Sequence, residues 1–420
     1  MDTSKDPVTP KVLSVLLLRT ADDPWLPRLK SFWCEGATEA FITFIPLFLS
    51  SQTTQINVGF AKRTPTLVIG SIISQFPTLC PNLESVTLSD GLPRDPIITE
   101  AVSEMLLACN QDSLRLFHVK SPLTEEAREV VCQLPRLSGL WLVVEGPISL
   151  PTMTLPNLTT IQIKYDHDLN WLQGFLGATL KRLESVGFGS ESSHIEDILG
   201  AFERVALTTS APNTLSEFSF YTQRAWSPNY SSLLSFKHLN KLDINFSCDG
   251  GCSSRLDDDI VMSLARAMPK LEILQLGTEP CKTPTGVTVN GLIYLAYRCP
   301  HLSKLRIHFQ VTSLLEAEDI ATLSSPSDGE YVVRWGDCAL TELEVGRIPI
   351  PAGSAPAITL ILLQIFPRIL DVNYTNSAWK TVAETIKRFR RIGAFVRRSG
   401  KLHQSCIPLP IVTPHQERRD

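Results

Sequence analysis

Two stretches of the chain share one pattern of hydrophobic and polar residues. The first is LPRLSGLWL at Leu134 to Leu142, and LPNLTTIQI at Leu155 to Ile163 begins 21 residues later. Both follow a template in which three apolar positions are spaced L-x-x-L-x-L, and the alternation at its end is typical of a strand with one buried face. The template can be followed along most of the chain, so the sequence is built from repeats.

The leading apolar position of the template recurs at spacings of 21 to 38 residues. These spacings centre on the leucine-rich-repeat period of roughly 20 to 29 residues and extend above it. Such repeats pack only on their neighbours, which predicts an α/β solenoid, a curved horseshoe with a parallel sheet on its concave face and helices and loops on its convex face. The leading positions are Leu29, Thr53, Leu83, Leu114, Leu137, Leu158, Leu183, Leu215, Leu239, Leu271, Leu302, Leu340 and Ile369.

Several segments between the strands change from period 2 to helical spacing. Apolar residues at i, i+3, i+4 and i+7 predict amphipathic helices whose buried stripes start at Val102, Ala127, Val289 and Ile358. The three acids at 257–259 favour a further helix N-terminus. The short spacings on either side of Leu137 leave room for loops or a single turn only.

Composition, the repeat pattern and the positions of prolines divide the chain into four predicted segments. They are an N-terminal lead-in or cap (1–25), the solenoid (26–375), a basic C-terminal capping helix (376–401) and a flexible tail (402–420). Within the solenoid, residues 247–254 and 324–338 interrupt the repeat, and we expect both to be exposed loops.

Cysteine usage and hydropathy suggest where the protein resides. Hydrophobic residues make up 43% of the chain and charged residues 20%, as in folded proteins. The ten cysteines are too sparse for a disulfide scaffold, and Cys80 and Cys299 share one repeat position, which favours small buried hydrophobes in a reducing compartment. The longest apolar runs fall short of the roughly 20 residues of a membrane span, and no signal peptide stands out. We expect an intracellular protein, cytoplasmic or nuclear.

Charge is unevenly distributed along the chain. Residues 380–401 hold eight basic residues and one acid, whereas residues 1–379 hold 29 basic and 40 acidic residues. The sequence places Val382, Ile386, Phe389 and Val396 on one face of a helix crowded by basic side chains. Such a helix could bind an acidic lipid surface or nucleic acid. We favour a cap on the last repeat, because solenoids need their open ends covered, and we do not expect nucleic acid as a partner.

Motifs that would indicate catalysis are weak. The chain contains no G-x-x-x-x-G-K-[ST], G-x-S-x-G or H-E-x-x-H. The sequence Asp166-His167-Asp168 suits a polar loop better than a general base, and Cys248 and Cys252 lack two further ligands nearby for a metal. Gly187-Phe188-Gly189 coincides with a repeat strand. We therefore predict no catalytic residue, cofactor or metal, and no enzyme.

The positions most informative about function face solvent on the predicted sheet. By strand alternation, the residue before the last apolar position of each repeat points to the concave face. Because Trp, Tyr and Arg are enriched among residues that dominate interfaces, we predict that a protein binds there, in patches around Trp141 and Arg306. The alternative is an ordinary solvated sheet. The candidate contacts are Trp33, His118, Lys120, Trp141, Gln162, Lys164, Tyr221, Asp243, Lys304, Arg306, His308 and Glu344.

Strands of the type CPNLESVTL (Cys80 to Leu88) and CPHLSKLRI (Cys299 to Ile307), with long and short repeats mixed, resemble the leucine-rich-repeat region of fungal F-box proteins. The resemblance covers about residues 26–375. It implies a substrate receptor of an SCF-type cullin ubiquitin ligase, whose repeats hold the target while an F-box docks the ligase adaptor. No Leu-Pro-x-Glu-like F-box opening lies in Met1 to Trp25, so an F-box-lacking relative fits equally. The alternatives are a non-ligase scaffold or inhibitor, or an enzyme with an unrecognised site.

Overall fold

Both halves of the molecule are built from parallel strands, one to each repeat. The computed structural model describes residues 24–89, 91–145, 155–165, 184–190, 215–222, 230–246, 256–277, 285–311, 338–346, 348–374 and 376–398. The chain forms two compact units, Met1–Arg224 and Ala225–Asp420. Each unit has the α/β architecture of a leucine-rich-repeat solenoid, which confirms the fold class predicted from the repeat pattern.

Unit 1 contains a sheet of eight parallel strands that pair in chain order. Alternate strand residues are buried, as in β3, where Val86 and Leu88 are inside and Ser85 and Thr87 are half-buried. The strands are β1 Ser31–Ala37, β2 Gln55–Phe60, β3 Ser85–Leu88, β4 Leu116–Pro122, β5 Gly139–Val144, β6 Thr160–Tyr165, β7 Ser185–Ser190 and β8 Glu217–Thr222.

The described helices of unit 1 lie between its first five strands. They are α1 Glu39–Ile42, α2 Ile45–Phe48, α3 Thr66–Ile73, α4 Phe76–Leu79, α5 Pro96–Ala108 and α6 Glu125–Val131. Asp95 caps α5 by accepting a hydrogen bond from the Ile97 amide at 2.9 Å. Helix α6 confirms the helix predicted around Ala127, but the expectation of no more than a single turn before Leu137 was wrong, because the 23-residue spacing holds a helix of seven residues, about two turns.

Unit 2 repeats the arrangement with five parallel strands, again paired in chain order. The strands are β9 Lys241–Phe246, β10 Ile273–Leu276, β11 Lys304–Ile307, β12 Glu342–Gly346 and β13 Asp371–Tyr374. Its described helices are a 3-10 helix at Tyr230–Ser235, then α7 Asp258–Ala267, α8 Val289–Arg298, α9 Ala355–Ile365 and α10 Ala378–Arg398. The predicted helices near Val102, Ala127, Val289 and Ile358 are thus confirmed as α5, α6, α8 and α9.

The core of each unit is a ladder of apolar side chains in matched register. In unit 2, Leu242, Leu274, Leu305 and Leu343 pair across four neighbouring strands, and all are fully buried. Because strand residues alternate between faces, the residues between these ladder positions point to the opposite face of the sheet. We call that opposite side the open sheet face.

Hydroxyl groups tie the repeats together just before the strands begin. Ser113 Oγ donates to the carbonyl of Leu83 at 2.7 Å, and Ser216 Oγ and Ser303 Oγ donate to the preceding repeat's backbone at 2.9 Å. Thr53, a polar residue at a leading apolar position, is fully buried because its Oγ1 donates to the Leu29 carbonyl at 2.9 Å. The hydroxyl satisfies the backbone at this position without a larger apolar side chain.

The acidic residues at the start of α7 cap two helices. Asp257 is the N-cap of α7 and accepts a hydrogen bond from the Ile260 amide at 3.0 Å, as the sequence predicted for a helix start. Asp258 reaches the next repeat, where its carboxylate accepts from Thr288 Oγ1 at 2.6 Å and from the Thr288 and Gly291 amides. One carboxylate therefore holds the N-terminus of α8 to that of α7.

The described cysteines are free and buried, in agreement with their interpretation as small hydrophobes. Burial raises the pKa of Cys80 to about 11 and that of Cys109 to about 12. Cys338 is buried at 1% exposure, so the exposed loop predicted for 324–338 does not include its last residue. The rest of that loop, and all of 247–254, lie outside the described residues.

Candidate functional site

The strand register of unit 1 aligns one residue from each strand on the open sheet face. This row contains the solvent-facing positions that the repeat template identified, and the strand residues on either side of it are buried wherever the structure describes their side chains. The row reads Trp33, Asn57, Thr87, His118, Trp141, Gln162, Gly187 and Ser219. Because the pairs are in direct register, neighbouring members are adjacent in the sheet.

Three side chains near the middle of the row form a cluster, which we call the aromatic patch: His118, Lys120 and Trp141. The imidazole and indole rings are stacked, with centroids 4.1 Å apart and planes 15° apart. The Nζ of Lys120 lies 5.3 Å from the centroid of the Trp141 ring, within the range of a cation–π contact. The patch therefore presents an aromatic surface with a positive charge at its edge.

Burial and the charge on Lys120 lower the pKa of His118 to about 4. The imidazole is consequently neutral at pH 7, so it stacks as an uncharged ring. Among the described residues, neither His118 Nε2 nor Trp141 Nε1 has a hydrogen-bond partner, and both atoms are shielded from solvent. In general, a polar atom buried without a partner destabilises a folded protein by about 1–3 kcal/mol.

The open sheet face of unit 1 also exposes large side chains away from the aromatic patch. Trp33 on β1 is 59% exposed, Tyr221 on β8 is 46% exposed and Leu116 on β4 is 36% exposed. Lys164 and Tyr221 both align with Gly189 of β7, in a second row two residues beyond the first. Next to the aromatic patch, the Gln162 side chain lies over Gly187, where an added Cβ would be 3.1 Å from Gln162 Cγ.

The open sheet face of unit 2 has a different character. Its register aligns Asp243, Gln275, Arg306, Glu344 and Asn373. Arg306 Nη2 lies 2.7 Å from Glu344 Oε2, and Lys304 Nζ lies 3.3 Å from Glu342 Oε2. We call these four residues the charged patch. Its positive and negative side chains neutralise each other across neighbouring strands.

Two titratable groups beside the charged patch have shifted pKa values. Burial raises the pKa of Asp243, although Arg306, Lys241 and Lys304 act in the opposite direction. Burial, with a smaller contribution from the charge on Arg306, lowers the pKa of His308. Within the described part of the chain, Asp243 Oδ1 and Arg306 Nε are buried without a hydrogen-bond partner. No acid, base and nucleophile converge among these side chains.

The candidate residues proposed from the sequence fall into two separate sets. Unit 1 holds Trp33, His118, Lys120, Trp141, Gln162, Lys164 and Tyr221, and unit 2 holds Asp243, Lys304, Arg306, His308 and Glu344. The sequence did not identify Leu116, although its place one residue before the buried Phe117 already indicated exposure by alternation. The repeat register placed Arg306 and Lys304 next to Glu342 and Glu344, and the structure adds that these side chains form ion pairs across 38 residues of sequence.

The weaker chemical motifs are only partly described. Gly187-Phe188-Gly189 lies on β7, as predicted. Asp166 to Asp168, Cys248 and Cys252 lie outside the described residues. Within the described residues, no cluster of His, Cys, Asp and Glu side chains is arranged to hold a metal ion. In the same part of the chain, none of the helices combines the length and apolar character needed to cross a membrane.

Comparison with known proteins finds likeness only among solved structures, since no family model and no curated sequence matches the chain. An internalin (InlF) from Listeria monocytogenes is 13% identical, over 90% of this chain and 87% of that one, with a TM-score of 0.38. The leucine-rich-repeat ectodomain of the receptor kinase GASSHO1/SCHENGEN3 from Arabidopsis thaliana, in complex with CASPARIAN STRIP INTEGRITY FACTOR 2, is 12% identical, with a TM-score of 0.28. That match covers 83% of this chain and 44% of the ectodomain chain. These similarities are too distant to argue function, so the leucine-rich-repeat assignment rests on the strands and helices of the chain itself.

Proposed function

We propose that the chain is a protein-recognition module and that its partner binds the open sheet face of unit 1. The observation that carries this proposal is the aromatic patch, where the stacked His118 and Trp141 rings lie beside the Lys120 ammonium group. Aromatic side chains with a nearby cation supply much of the binding energy in protein interfaces. Trp33 and Tyr221 extend the same face with exposed aromatic surface.

The dimensions of this face favour a macromolecular partner. Eight strands at the usual separation of about 4.8 Å span about 34 Å, which is comparable to one side of a standard protein interface. A small ligand would instead need a concave pocket that buries most of its surface. Aromatic side chains lie on the first strand of this face (Trp33), on its last strand (Tyr221) and in its middle (Trp141), which suits an extended contact.

We favour unit 1 over unit 2 as the binding surface because the charged side chains on the open sheet face of unit 2 pair with one another. In the charged patch, Arg306 and Glu344 already satisfy each other, as do Lys304 and Glu342. A partner would have to displace these ion pairs before gaining new ones, which reduces the net benefit. The contacts within the aromatic patch are instead the stacking of two rings and a cation–π contact.

We further propose that the partner is a protein destined for ubiquitylation, with this chain acting as an F-box-like receptor or an F-box-lacking relative. The support is the resemblance of CPNLESVTL and CPHLSKLRI to the repeats of fungal F-box proteins. A scaffold or inhibitor using the same face is the competing function. An intracellular location is part of this proposal, and the free, buried cysteines support it.

The test is affinity purification of the tagged full-length chain from its native cells, followed by mass spectrometry. Recovery of a cullin and its adaptor supports the ligase role, whereas one stoichiometric partner without ligase subunits supports a scaffold or inhibitor. Trp141→Ala should weaken binding of the recovered protein by about 10- to 100-fold, as expected for an interface hot spot.

The matched control is Leu67→Ala, which removes a side chain that is 70% exposed on α3. It should leave both affinity and thermal midpoint unchanged. If Trp141→Ala binds normally, the partner does not use the aromatic patch, and the proposed surface is wrong. If Trp141→Ala instead lowers the thermal midpoint sharply, the side chain belongs to the core, and Lys120→Glu then tests the surface by reversing the charge at the edge of the patch.

A further inference from the structure

Helix α10 changes character along its length. Over its first half, Trp379, Val382, Ala383 and Ile386 form a buried stripe, and the helix packs on α9 and β13. Trp379 Nε1 donates a hydrogen bond to the Ile348 carbonyl at 2.8 Å. A helix of 21 residues is about 31 Å long, and this stripe accounts for less than half of it.

Polar contacts end the packing of α10 just after Ile386. Lys387 Nζ lies 2.8 Å from Asp371 Oδ1 of β13. The Arg390 guanidinium donates to the carbonyls of Ile369 and Pro367. Arg390 lies four residues after Ile386, at the position where the buried apolar stripe would continue. The stripe therefore ends at Ile386, and the next position on this face holds a guanidinium group that is hydrogen-bonded to backbone carbonyls.

The sequence placed Phe389 on the same helix face as Val382 and Ile386, and the structure shows that burial on this face ends at Ile386. Phe389 is 48% exposed and Ile392 is 61% exposed. Residues three apart share a helix face, so these two form an apolar row directed to solvent. Leu360 on α9, which packs against α10, is also 54% exposed.

A row of cations runs beside this apolar row. Arg388 and Arg391 each precede a member of the apolar row by one residue, and both are exposed. No acidic side chain in the described part of the chain pairs with either guanidinium. Residues 387–401 contain seven basic residues and no acidic one. The outer face of α10 thus combines exposed apolar groups with positive charge that is not neutralised locally.

We propose that the outer face of α10 binds the surface of an anionic lipid bilayer. Phe389 and Ile392 enter the boundary between headgroups and acyl chains, while Arg388 and Arg391 contact lipid phosphates and carboxylates. Helices that carry aromatic or aliphatic side chains beside a row of Lys and Arg lie in bilayer interfaces in this way. Each cation near an anionic surface contributes to attraction, and each inserted side chain removes apolar area from water.

A bilayer explains both rows, whereas a nucleic acid explains only one. Phosphate backbones attract arginines and would gain little from an exposed isoleucine at position 392. The buried half of α10 holds the helix on unit 2, so the lipid-binding half is presented without refolding. The inference concerns a different unit from the aromatic patch, and it stands or falls independently of the proposed function.

The test is flotation of the full-length protein with vesicles of phosphatidylcholine alone and of phosphatidylcholine with about 30 mol% phosphatidylserine. We expect binding to the anionic vesicles only, weakening as salt is added. Arg388→Gln with Arg391→Gln should reduce affinity by about 10- to 30-fold, since each cation supplies about a factor of five. Phe389→Ser with Ile392→Ser should reduce it by at least about tenfold.

Matched controls lie in unit 1. Lys62→Gln with Arg63→Gln removes two exposed cations, and Leu67→Ser removes one exposed apolar side chain. Neither should change flotation, and all variants should keep the parental thermal midpoint because the changed side chains are exposed. Equal binding to neutral vesicles, no binding to anionic vesicles, or binding unaffected by both helix variants would overturn the proposal. So would an oligonucleotide that displaces the vesicles and still binds the Phe389→Ser, Ile392→Ser variant.

Discussion

Two aromatic residues on helix α10 provide the sharpest test of the structure, because only one of them is core. Trp379 is fully buried, its Nε1 donates to the Ile348 carbonyl at 2.8 Å, and its ring meets Phe309 edge-on at 6.2 Å. Truncating such a side chain to Ala destabilises a protein by about 3–5 kcal/mol. Trp379→Phe keeps most of the packing and removes one hydrogen bond, for a loss of about 1–2 kcal/mol.

Phe389 lies ten residues further along the same helix and is 48% exposed. Phe389→Ala should therefore change the free energy of unfolding by no more than about 0.5–1 kcal/mol. The measurement is the midpoint of thermal unfolding by circular dichroism. For a unit of this size, each kcal/mol corresponds to about 2–4 °C, so Trp379→Ala should lower the midpoint by about 6–20 °C.

The comparison between the two variants can refute the reasoning. If Phe389→Ala lowers the midpoint as far as Trp379→Ala, the helix is rotated about its axis relative to the structure. The apolar row at Phe389 and Ile392 would then be core, and the lipid-binding inference would fail with it. A large loss for Trp379→Ala would instead support our inference that α10 is the cap of the last repeat, as the sequence suggested.

Three further predictions concern unit cohesion, pH dependence and thiol reactivity. Asp258→Ala should destabilise the protein by about 2–3 kcal/mol in urea unfolding, because its carboxylate accepts three hydrogen bonds from the next repeat, whereas Asp259→Ala, at an exposed position, should have little effect. The folded-state pKa of His118, about 4, lies below its ordinary value of 6.5, so its contribution to stability is present above pH 6.5 and is lost as the pH falls toward 4. His118→Gln should remove that part of the pH dependence, and equal pH profiles for the two proteins would contradict the assignment. Because burial raises the pKa of Cys80, Cys109, Cys132 and Cys299 to about 11 or 12, iodoacetamide at about pH 8 should label them only after unfolding, as read by peptide mass spectrometry.

The repeat architecture and its open sheet face followed from local patterns. L-x-x-L-x-L fixes which strand residues are buried, because alternation is a property of the strand itself. The register then aligned Trp33 through Ser219 and Asp243 through Asn373 as the pattern predicted. Asp257 was recognisable as a helix start because capping involves residues only three apart. In each case the partners are close in sequence or repeat with the period.

Contacts between side chains of different repeats were decided by the tertiary structure. The stacking of His118 on Trp141, the pairing of Arg306 with Glu344 and the bridging by Asp258 each join residues 23 to 38 positions apart. Helical spacing alone could not tell that Trp379 is buried and Phe389 is exposed, because both lie near the apolar face of the helix. Only the neighbouring elements that pack on the helix determine which part of that face is covered.

The sequence by itself thus determined the fold class, the buried ladder and the row of side chains presented to solvent. The tertiary structure decided how those side chains contact one another. In unit 2 they pair with one another across adjacent strands, and in unit 1 they stack into an aromatic surface. The physical reason is that periodicity specifies the direction of each side chain, whereas pairing depends on neighbours brought together by repeats of unequal length.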